Sequence, residues 1–360
     1  MFTLATKPFK AVSFSESAIK KVFASTGWVM ADTKHDGVRG NVVVDNVGEA
    51  SWLSRVSKPI PALSHLNGIS HRWKALLSDD RCIFPEGFML DGELMVSGVD
   101  FNTGSGLLRT VWTKRTSKTH KGNTQYHFNK TYNDPNVGWS GKHNFQLDPE
   151  LLEVKLYAVL PIDVVESQEE YQVPNFLIEQ HTGIMVELLR EYFPEIKWSL
   201  SESIPVYSME ALNELYERRR EEGHEGLVVK DPFGFYKRGK KSGWWKMKPE
   251  EEADGVVVGL VWGTNGLANE GKVIGFEVLL ESGRVVNATN ISKALMEEFT
   301  ARVKEYTTEC GANEAGCWYM NPYEGWQCQI SYMEETPDGS LRHPSFDKWR
   351  GTEDEPKVKI

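Results

Sequence analysis

The chain has 360 residues, of which 40% are hydrophobic and 26% charged, an ordinary composition for a soluble globular protein of about two domains. No apolar run approaches the ~18 residues of a membrane span, and residues 1–14 lack the apolar core of a signal peptide. The net charge of −10 argues against a nucleic-acid partner unless the basic residues are clustered.

The basic residues are concentrated in two stretches. Residues 111–147 contain six Lys or Arg against one acid, and residues 235–248 contain six more and no acid. Such clusters bind nucleic-acid phosphates even when the whole chain is acidic. The candidate nucleic-acid-binding residues are Lys114, Arg115, Lys118, Lys121, Lys237, Arg238 and Lys241.

The cysteines form no C-x-x-C pair, and the chain shows no export signal. We therefore expect free thiols in a reducing cytosol rather than disulfides or a zinc site. The residues concerned are Cys82, Cys310, Cys317 and Cys328.

A first helix is predicted from Ser13, where Glu16 completes a capping box, to just before Gly27. Strand-like residues 28–31 and 41–45 then flank the sequence TKHDGVRG at 33–40. This segment therefore lies where one strand breaks and the next begins.

Lys34 in this break is a candidate covalent nucleophile. A free lysine has a pKa near ~10.4, so only about 0.1% of it is amine at neutral pH; burial, nearby cations or a metal favour the amine. Arg39 disfavours a charged ammonium and is suited to grip a phosphate bidentately. The alternative is a β-hairpin whose lysine is solvated.

Carboxylates interrupt a later apolar strand. A short strand over 52–56 ends in a cationic pair, Arg55 and Lys58, and the apolar strand over 88–96 contains Asp91-Gly92-Glu93. Carboxylates in such a strand are costly unless they bind a cation or accept hydrogen bonds. The alternative is a bulge that leaves Glu93 solvated.

The polar residues 113–150 show little periodicity, and we predict a long surface excursion with Tyr126 and Trp139 available for stacking. Order returns in a strand over 153–161, where Tyr157 is either part of the core or a platform for a base. Helices are predicted over 175–192 and 208–223.

A further apolar strand, over 223–232, carries Glu225 at its start and Lys230 at its far end. In the strand that follows, alternation places Lys246 and Lys248 on one face and the apolar neighbours on the other. Two such lysines repel each other unless an anion lies between them, and a polyphosphate would satisfy both. The alternative is a solvated strand face.

A second domain is predicted after the acidic run at 250–254. Strands over 255–262, 271–280 and 285–289 are separated by turns that contain glycine. Short strands of this kind suggest a small barrel of the oligonucleotide-binding (OB) type.

These motifs occur in one order that resembles the covalent nucleotidyltransferases, the superfamily of DNA ligases, RNA ligases and mRNA capping enzymes. The resemblance is closest to the compact ATP-dependent DNA ligases of T-seven-type bacteriophages and covers essentially the whole chain. The motifs are Lys34-x-Asp36-Gly37-x-Arg39, Ser54-Arg55, Asp91-Gly92-Glu93, Tyr157, Glu225-Gly226-x-x-x-Lys230 and Trp245-Lys246-x-Lys248.

The resemblance implies an α+β fold. An ATP-grasp-like adenylation domain of antiparallel sheets flanked by helices would span 1–249, an OB-fold β-barrel 250–349 and an acidic tail 350–360. It also implies a monomer in the bacterial host cytoplasm that seals nicked duplex DNA in replication, repair and recombination, using ATP and Mg²⁺.

The resemblance further implies roles for individual residues. Lys34 would form the lysyl-AMP intermediate, Glu93 and Glu225 would hold the metal, and the basic set above would bind DNA. The residues that would bind ATP are Asp32, Thr33, Lys34, His35, Arg39, Arg55, Glu93, Tyr157, Lys230, Lys240, Lys246 and Lys248.

The chain departs from the family pattern near its end, where an R-x-D-K element often orients the pyrophosphate. The sequence leading into that element is present, but its Asp and Lys are not, so Arg342, Lys348 and Arg350 remain alternatives for that role. Three other functions also remain open: a GTP-dependent capping enzyme, an RNA ligase and a non-enzymatic nucleic-acid-binding protein.

Overall fold

The computed structural model describes residues 4–114, 142–310, 319–333, 335, 339–352 and 354–359. The chain divides into two compact units. The first unit takes residues 1–12, 18–206 and 229–245, and the second takes 13–17, 207–228 and 246–360. Both units mix strands with helices, so the predicted α+β class is confirmed.

The strands lie in several sheets, and helices alternate with them along the chain. The strands are β1 Phe9–Ser13, β2 Val29–Lys34, β3 Val38–Asp45, β4 Glu49–Ser54, β5 Gly68–Ile69, β6 Gly87–Val96, β7 Trp112–Lys114, β8 Lys142–Asn144, β9 Leu152–Pro161, β10 Tyr171–Pro174, β11 Lys197–Leu200, β12 Ser203–Val206, β13 Gly226–Lys230, β14 Phe235–Tyr236, β15 Gly239–Met247, β16 Glu251–Trp262, β17 Val273–Leu280, β18 Val285–Ala288, β19 Gln327–Tyr332 and β20 Ser345–Trp349. The helices are α1 Glu16–Thr26, α2 His71–Leu77, α3 Phe101–Arg109, α4 Ile162–Ser167, α5 Asn175–Tyr192, α6 Met209–Glu221 and α7 Lys293–Glu309.

A six-stranded sheet of order β11-β9-β6-β3-β4-β5 forms the centre of the first unit. Its apolar face packs against α2 and α5 in one large core, where the rings of Trp52 and Trp198 lie 5.9 Å apart. Burying a side chain of this size stabilises the fold by about 2–3 kcal/mol. The opposite face of β3 and β6 is thereby left to carry polar side chains.

A five-stranded sheet has the order β1-β15-β13-β2-β12. Residues 201–202 connect β11 of the six-stranded sheet to β12 of this one. Since β2 ends at Lys34 and β3 begins at Val38, the Lys34 segment also passes from one sheet to the other.

The second unit contains a five-stranded sheet of order β18-β17-β16-β19-β20. An isolated bridge links Thr289, just after β18, to Ser345 at the start of β20. The two edges of the sheet therefore approach each other around a core that includes Phe276 and Phe299, an arrangement consistent with the predicted OB-fold.

The last residues pack against this sheet as well. Pro356 accepts a hydrogen bond from the Gln327 backbone at 3.0 Å, and Lys359 pairs with Asp254 at 2.7 Å. The predicted domain limits at 249 and 349 stay a prediction.

Several predicted elements shift at their ends. The first helix begins at Glu16 rather than Ser13, because Ser13 still belongs to β1. The predicted excursion ends earlier than expected: Phe145 and Leu147 are buried in the core of the first unit. Trp139 and Tyr126 lie outside the described residues. No helix in the described part of the chain is long and apolar enough to cross a membrane.

The cysteines were predicted to be free thiols rather than disulfides. Cys82, Cys310 and Cys328 are free thiols, as expected. Cys317 lies outside the described residues.

Candidate active site

Lys34 is the last residue of β2, and the short connection to β3 contains Gly37. A Cβ atom at Gly37 would lie 2.6 Å from Cγ of Glu93 and 2.8 Å from the carbonyl oxygen of Leu94. No real Cβ tolerates such contacts, so only glycine lets this connection approach β6 so closely. The glycine of the motif thus brings the Lys34 segment against the Asp-Gly-Glu strand.

The register between β3 and β6 brings the charged residues of two motifs together. Arg39 is paired with Glu93 and Asn41 with Asp91. Because side chains alternate along a strand, all four point to one face of the sheet. The Asp-Gly-Glu interruption of the apolar strand is therefore matched by polar residues on its neighbour.

Asp91 is fully buried and accepts hydrogen bonds from three side chains. The Arg39 guanidinium donates to both of its oxygens at 2.6 Å, Asn41 donates at 2.8 Å and the Tyr236 hydroxyl at 2.5 Å. Burial lowers the pKa of Arg39, but Asp91 raises it further, so the guanidinium is held in its charged form.

The sequence prediction named Glu93 but gave Asp91 no role in the site. The signal was present, since a carboxylate inside an apolar strand needs a cation or hydrogen-bond donors. Its partners, Asn41 and Tyr236, come from distant parts of the chain and could not be named from spacing.

Tyr157 is the extra residue of a β-bulge in β9, because Asp91 pairs with Ala158 while Gly92 pairs with Leu156. Bulges re-aim side chains, and here the Tyr157 hydroxyl donates to Oε2 of Glu93 at 3.0 Å. The Arg39 guanidinium lies 4.7 Å from the centre of the Tyr157 ring. Tyr157 is half-buried and contacts charged residues of the site, which favours the platform over the core alternative.

Glu93 has a pKa raised by burial, and three neighbours oppose that shift: the Arg39 guanidinium, the Tyr157 hydroxyl and the Lys34 ammonium. The connection that follows Lys34 also packs against Glu93, at Gly37. Burial and Glu93 together raise the pKa of Tyr157, so this phenol stays a hydrogen-bond donor.

Lys230, at the end of β13, is buried and paired with the buried carboxylate of Asp32 at 2.6 Å. Its ammonium lies 4.4 Å from the centre of the Trp244 ring and 6.0 Å from that of Tyr157. The sequence prediction placed both Lys230 and Asp32 among the ATP-binding residues without pairing them. The structure adds a side-chain partnership that the sequence did not indicate.

In the second unit, two lysines are each paired with a carboxylate. Lys248 donates to Oε1 of Glu225 at 2.5 Å, and Lys246 donates to Oε1 of Glu250 at 2.5 Å. The predicted alternation holds, since Trp245 and Met247 are buried. The predicted repulsion between Lys246 and Lys248 is thus relieved by carboxylates of the chain.

Gly226 of this motif is fixed by close contact. It has a φ of +148°, and a Cβ there would lie 2.1 Å from the carbonyl oxygen of Met247. Only glycine fits at this position, so β13 and β15 can lie side by side where Glu225 and Lys248 meet.

The predicted DNA-binding residues have different surroundings. Lys237 donates to the Ser242 carbonyl at 2.8 Å, and Lys241 pairs with Glu170 at 3.1 Å on the surface. Arg238 is buried, and its guanidinium donates to the carbonyls of Thr6, Val164 and Glu169. The structure therefore favours a structural role for Arg238 over the predicted DNA contact.

The other members of this set are less fully described. Arg115, Lys118 and Lys121 lie outside the described residues, and only the backbone of Lys114 is described, in β7. Two predicted ATP-binding residues, Arg55 and Lys240, are exposed on the first unit.

The three residues considered for orienting the pyrophosphate, near the end of the chain, have different surroundings. Arg342 forms an ion pair with Glu16, and Arg350 pairs with Asp254 at 2.8 Å. Lys348 is exposed in β20. These contacts do not single out one of the three for adenylation.

Among the described residues, no group of three or more His, Cys, Asp or Glu side chains is arranged to hold a metal ion. Magnesium, however, is usually held by one or two carboxylates together with water and substrate phosphates. Glu93 and Glu225 are carboxylates of the predicted motifs: the Lys34 connection packs against Glu93 at Gly37, and Lys248 donates to Glu225. Each carboxylate by itself supplies the oxygen donors that magnesium takes when it is bound with a polyphosphate.

Two family models match the chain. The model described as ATP dependent DNA ligase domain covers residues 8–248. The model described as DNA ligase C-terminal domain covers residues 249–350.

Full-length relatives agree with these models. The chain is 60% identical over 359 residues to a DNA ligase of Enterobacteria phage T3, covering 99% of both chains. It is 60% identical over 367 residues to a DNA ligase of Escherichia phage T7, covering 100% of both. The solved structure of the ATP-dependent DNA ligase from bacteriophage T7 in complex with ATP matches it with a TM-score of 0.85, covering 96% of this chain and 98% of that one.

Proposed function

The chain belongs to the family of ATP-dependent DNA ligases, and we propose that it seals nicks in duplex DNA through a covalent lysyl-AMP intermediate on Lys34. The observation that carries this assignment to Lys34 is its position at the end of β2, in the connection that Gly37 brings against Glu93 of β6. The same part of the site holds the Arg39 guanidinium, the Tyr157 phenol and the Glu93 carboxylate, groups suited to bind a nucleotide beside a nucleophile.

Three phosphoryl transfers follow from this assignment. The Lys34 amine attacks the α-phosphate of ATP, forming a P–N bond while the bond to pyrophosphate breaks. The adenylate then passes to the 5′-phosphate at a nick, and the lysine amine is released. Finally, the 3′-hydroxyl attacks the activated 5′-phosphate, AMP leaves and the strand is continuous. Such in-line transfers depend mainly on positioning and on charge neutralisation.

Arg39 is the residue whose positioning the structure explains best. Asp91 holds its guanidinium from one side, and the Tyr157 ring lies 4.7 Å away. We assign Arg39 to the ribose or phosphate of ATP, Tyr157 to stacking on adenine, and Glu93 to the ribose hydroxyls. Backbone groups of Asp32, Thr33, Lys34 and His35 are proposed to meet the base or α-phosphate, and Arg55 the ribose or a phosphate.

The remaining lysines are proposed to neutralise the phosphates. Lys230, Lys240, Lys246 and Lys248 would stabilise the leaving pyrophosphate and later the nick phosphate. Three of them carry a carboxylate partner in the structure: Asp32, Glu250 and Glu225. Binding of a polyphosphate must therefore compete with these ion pairs or reorganise them.

Magnesium is proposed to bind at Glu93 and Glu225, where it would neutralise phosphate charge during adenylation. Glu93→Ala and Glu225→Ala should each reduce adenylation far more than thermal stability. A variant that seals nicks at the wild-type rate with limiting Mg²⁺ would exclude its carboxylate from this role.

Lys114, Arg115, Lys118, Lys121, Lys237 and Lys241 are proposed to bind the phosphates of the nicked duplex. Arg238, the seventh residue predicted from sequence, is left out because it is buried with three carbonyl partners. A monomeric state and a location in the host cytoplasm stay predictions.

A nick-sealing gel with DNA, RNA and hybrid nicks tests the proposal most directly. We expect sealing of nicked duplex DNA, and a mass increase of the protein by one AMP when it is incubated with ATP but not with GTP. Adduct formation with GTP alone would indicate a capping enzyme, and preferential sealing of RNA would indicate an RNA ligase. Absence of any adduct would leave a non-enzymatic binding protein.

A further inference from the structure

The Lys230 ammonium is buried, with 4% of the residue exposed, yet among the described residues its one hydrogen-bond acceptor is Oδ2 of Asp32. Its other neighbours are the rings of Trp244 and Tyr157. An ammonium has three donors, so among the described residues this buried cation uses one of them for Asp32. The position of the Lys230 ammonium therefore depends on how firmly the Asp32 carboxylate is held.

Asp32 is held by two serine hydroxyls. Ser201 donates to Oδ2 at 3.2 Å, and Ser203 donates to Oδ1. Ser203 is also the strand partner of Asp32 between β12 and β2, and its backbone N–H is fixed by Oε1 of Glu179 at 2.7 Å. Asp32 is fully buried, so loss of the Ser203 hydroxyl would remove the side-chain donor to Oδ1, and loss of the Ser201 hydroxyl would leave Oδ2 to the Lys230 ammonium.

The same serines belong to the segment that joins the two sheets of the site. The Ser201 backbone N–H donates to the carbonyl of Leu156 at 2.8 Å, next to Tyr157 in β9. The segment is therefore hydrogen-bonded to the strand of Tyr157 on one side and to the Asp32 carboxylate on the other.

We propose that Ser201 and Ser203 are positioning residues for ATP binding, which hold Asp32, and through it Lys230, at a fixed distance from Tyr157. This inference rests on the proposed binding of ATP by Lys230 and Tyr157. The serines do not touch the nucleotide. They set the spacing between a cation on one sheet and an aromatic platform on the other.

The test is single-turnover self-adenylation measured against ATP concentration, which separates ATP affinity from the rate at saturation. The double variant Ser201→Ala/Ser203→Ala should weaken ATP affinity about tenfold or more. Sealing of a pre-adenylated nick, in which Lys230 is assigned only to the nick phosphate, should lose clearly less. Ser203→Thr retains the hydroxyl, so it should keep most of the ATP affinity that Ser203→Ala loses. If the double variant folds poorly, Ser203→Ala and Ser203→Thr alone carry the comparison.

Thr300→Val is the matched control, because Thr300 in the second unit also has a buried hydroxyl, which accepts from the Val273 backbone. It should lose stability without losing ATP affinity. Unchanged affinity in the double variant, or an equal loss in sealing of a pre-adenylated nick, would overturn the inference. Normal ATP affinity in Lys230→Met would instead overturn the proposed role of Lys230. Loss in Lys230→Met together with normal affinity in the serine variants would refute only the positioning role.

Discussion

Arg39 and Asp91 form a bidentate ion pair, with Nε and Nη2 of the arginine each 2.6 Å from a different carboxylate oxygen. Asp91 is fully buried, whereas the Arg39 side chain keeps 20% of its surface exposed. Asp91 is thus the buried member, which orients the guanidinium, and Arg39 is the partly exposed member, which faces the site. This geometry suits a guanidinium that must receive a ligand without swinging away.

Replacing Arg39, the partly exposed member of this pair, should destabilise the first unit. Arg39→Met leaves a buried carboxylate without its cation, which costs about 3–5 kcal/mol. Chemical denaturation would measure this loss. The double variant Arg39→Met/Asp91→Asn should recover part of the stability, because it removes the unpaired charge as well.

Neither variant should form the AMP adduct efficiently, because both lack the guanidinium. Tyr236→Phe provides the control, since it removes one donor to Asp91 while leaving the Arg39 pair in place. Equal stability of the single and double variants would show that Asp91 tolerates loss of its cation.

The nucleophile is tested by two substitutions at Lys34. Lys34→Ala should abolish the covalent AMP adduct, and so should Lys34→Arg, because a guanidinium is effectively never deprotonated. Intact-protein mass spectrometry after incubation with ATP measures the adduct. An AMP mass shift on the Lys34→Ala protein would require a different nucleophile.

The sequence predicted the parts of the site that lie within continuous motifs. The break at Lys34, the strand that contains Glu93 and the alternation around Lys246 needed only local periodicity and spacing. The helix over 175–192 was also predicted at its observed bounds. Each of these features is specified by neighbouring residues.

What escaped prediction depends on register and on contacts between distant segments. Asp91 receives donors from Arg39 and Tyr236, and the Asp32–Lys230 pair joins two strands far apart in sequence. The bulge at Tyr157 has no local sequence signal. The burial of Arg238 was not predicted either, because a basic cluster does not reveal which of its members is buried.

The hydrogen bond from Tyr157 to Glu93 should be visible in the pH dependence of self-adenylation. Burial raises the pKa of Glu93, and the Tyr157 hydroxyl is among the groups that lower it. Tyr157→Phe removes that donor, so the pKa of Glu93 rises further and the carboxylate becomes protonated at a higher pH. The acid limb of the rate profile should therefore move to higher pH.

Rates measured across the acid limb would detect this shift, since a carboxyl with a raised pKa titrates above its ordinary value. Tyr216→Phe, which changes a buried phenol of the second unit, is the control. An acid limb that does not move, or that moves to lower pH, would contradict the assigned interaction.

Lys246 should matter most in the step that expels pyrophosphate, whose developing charge exceeds that on departing AMP. Lys246→Ala should impair self-adenylation strongly and sealing of a pre-adenylated nick less. Both rates would be compared at saturating Mg²⁺. Normal self-adenylation in both Lys246→Ala and Lys248→Ala would show that other residues hold the triphosphate.

The DNA surface is tested by its salt dependence. Each phosphate contact that is lost should flatten the slope of log affinity against log salt by roughly one unit. Replacing Lys114, Arg115, Lys118 and Lys121 with alanine should therefore flatten the slope measured with a nicked duplex. Replacing Lys237 and Lys241 should have a smaller effect of the same sign, because only two charges are removed.

Arg238→Met tests whether Arg238 contributes to DNA binding or to the stability of the first unit. Its guanidinium donates to three carbonyls inside the first unit, so its loss should lower stability while leaving the salt slope unchanged. Lys241→Met is the matched variant, because Lys241 is exposed and its surface pair with Glu170 contributes little to stability. A slope that flattens in Arg238→Met but not in Lys241→Met would reverse these roles. It would require the buried guanidinium to leave its carbonyl partners when DNA binds.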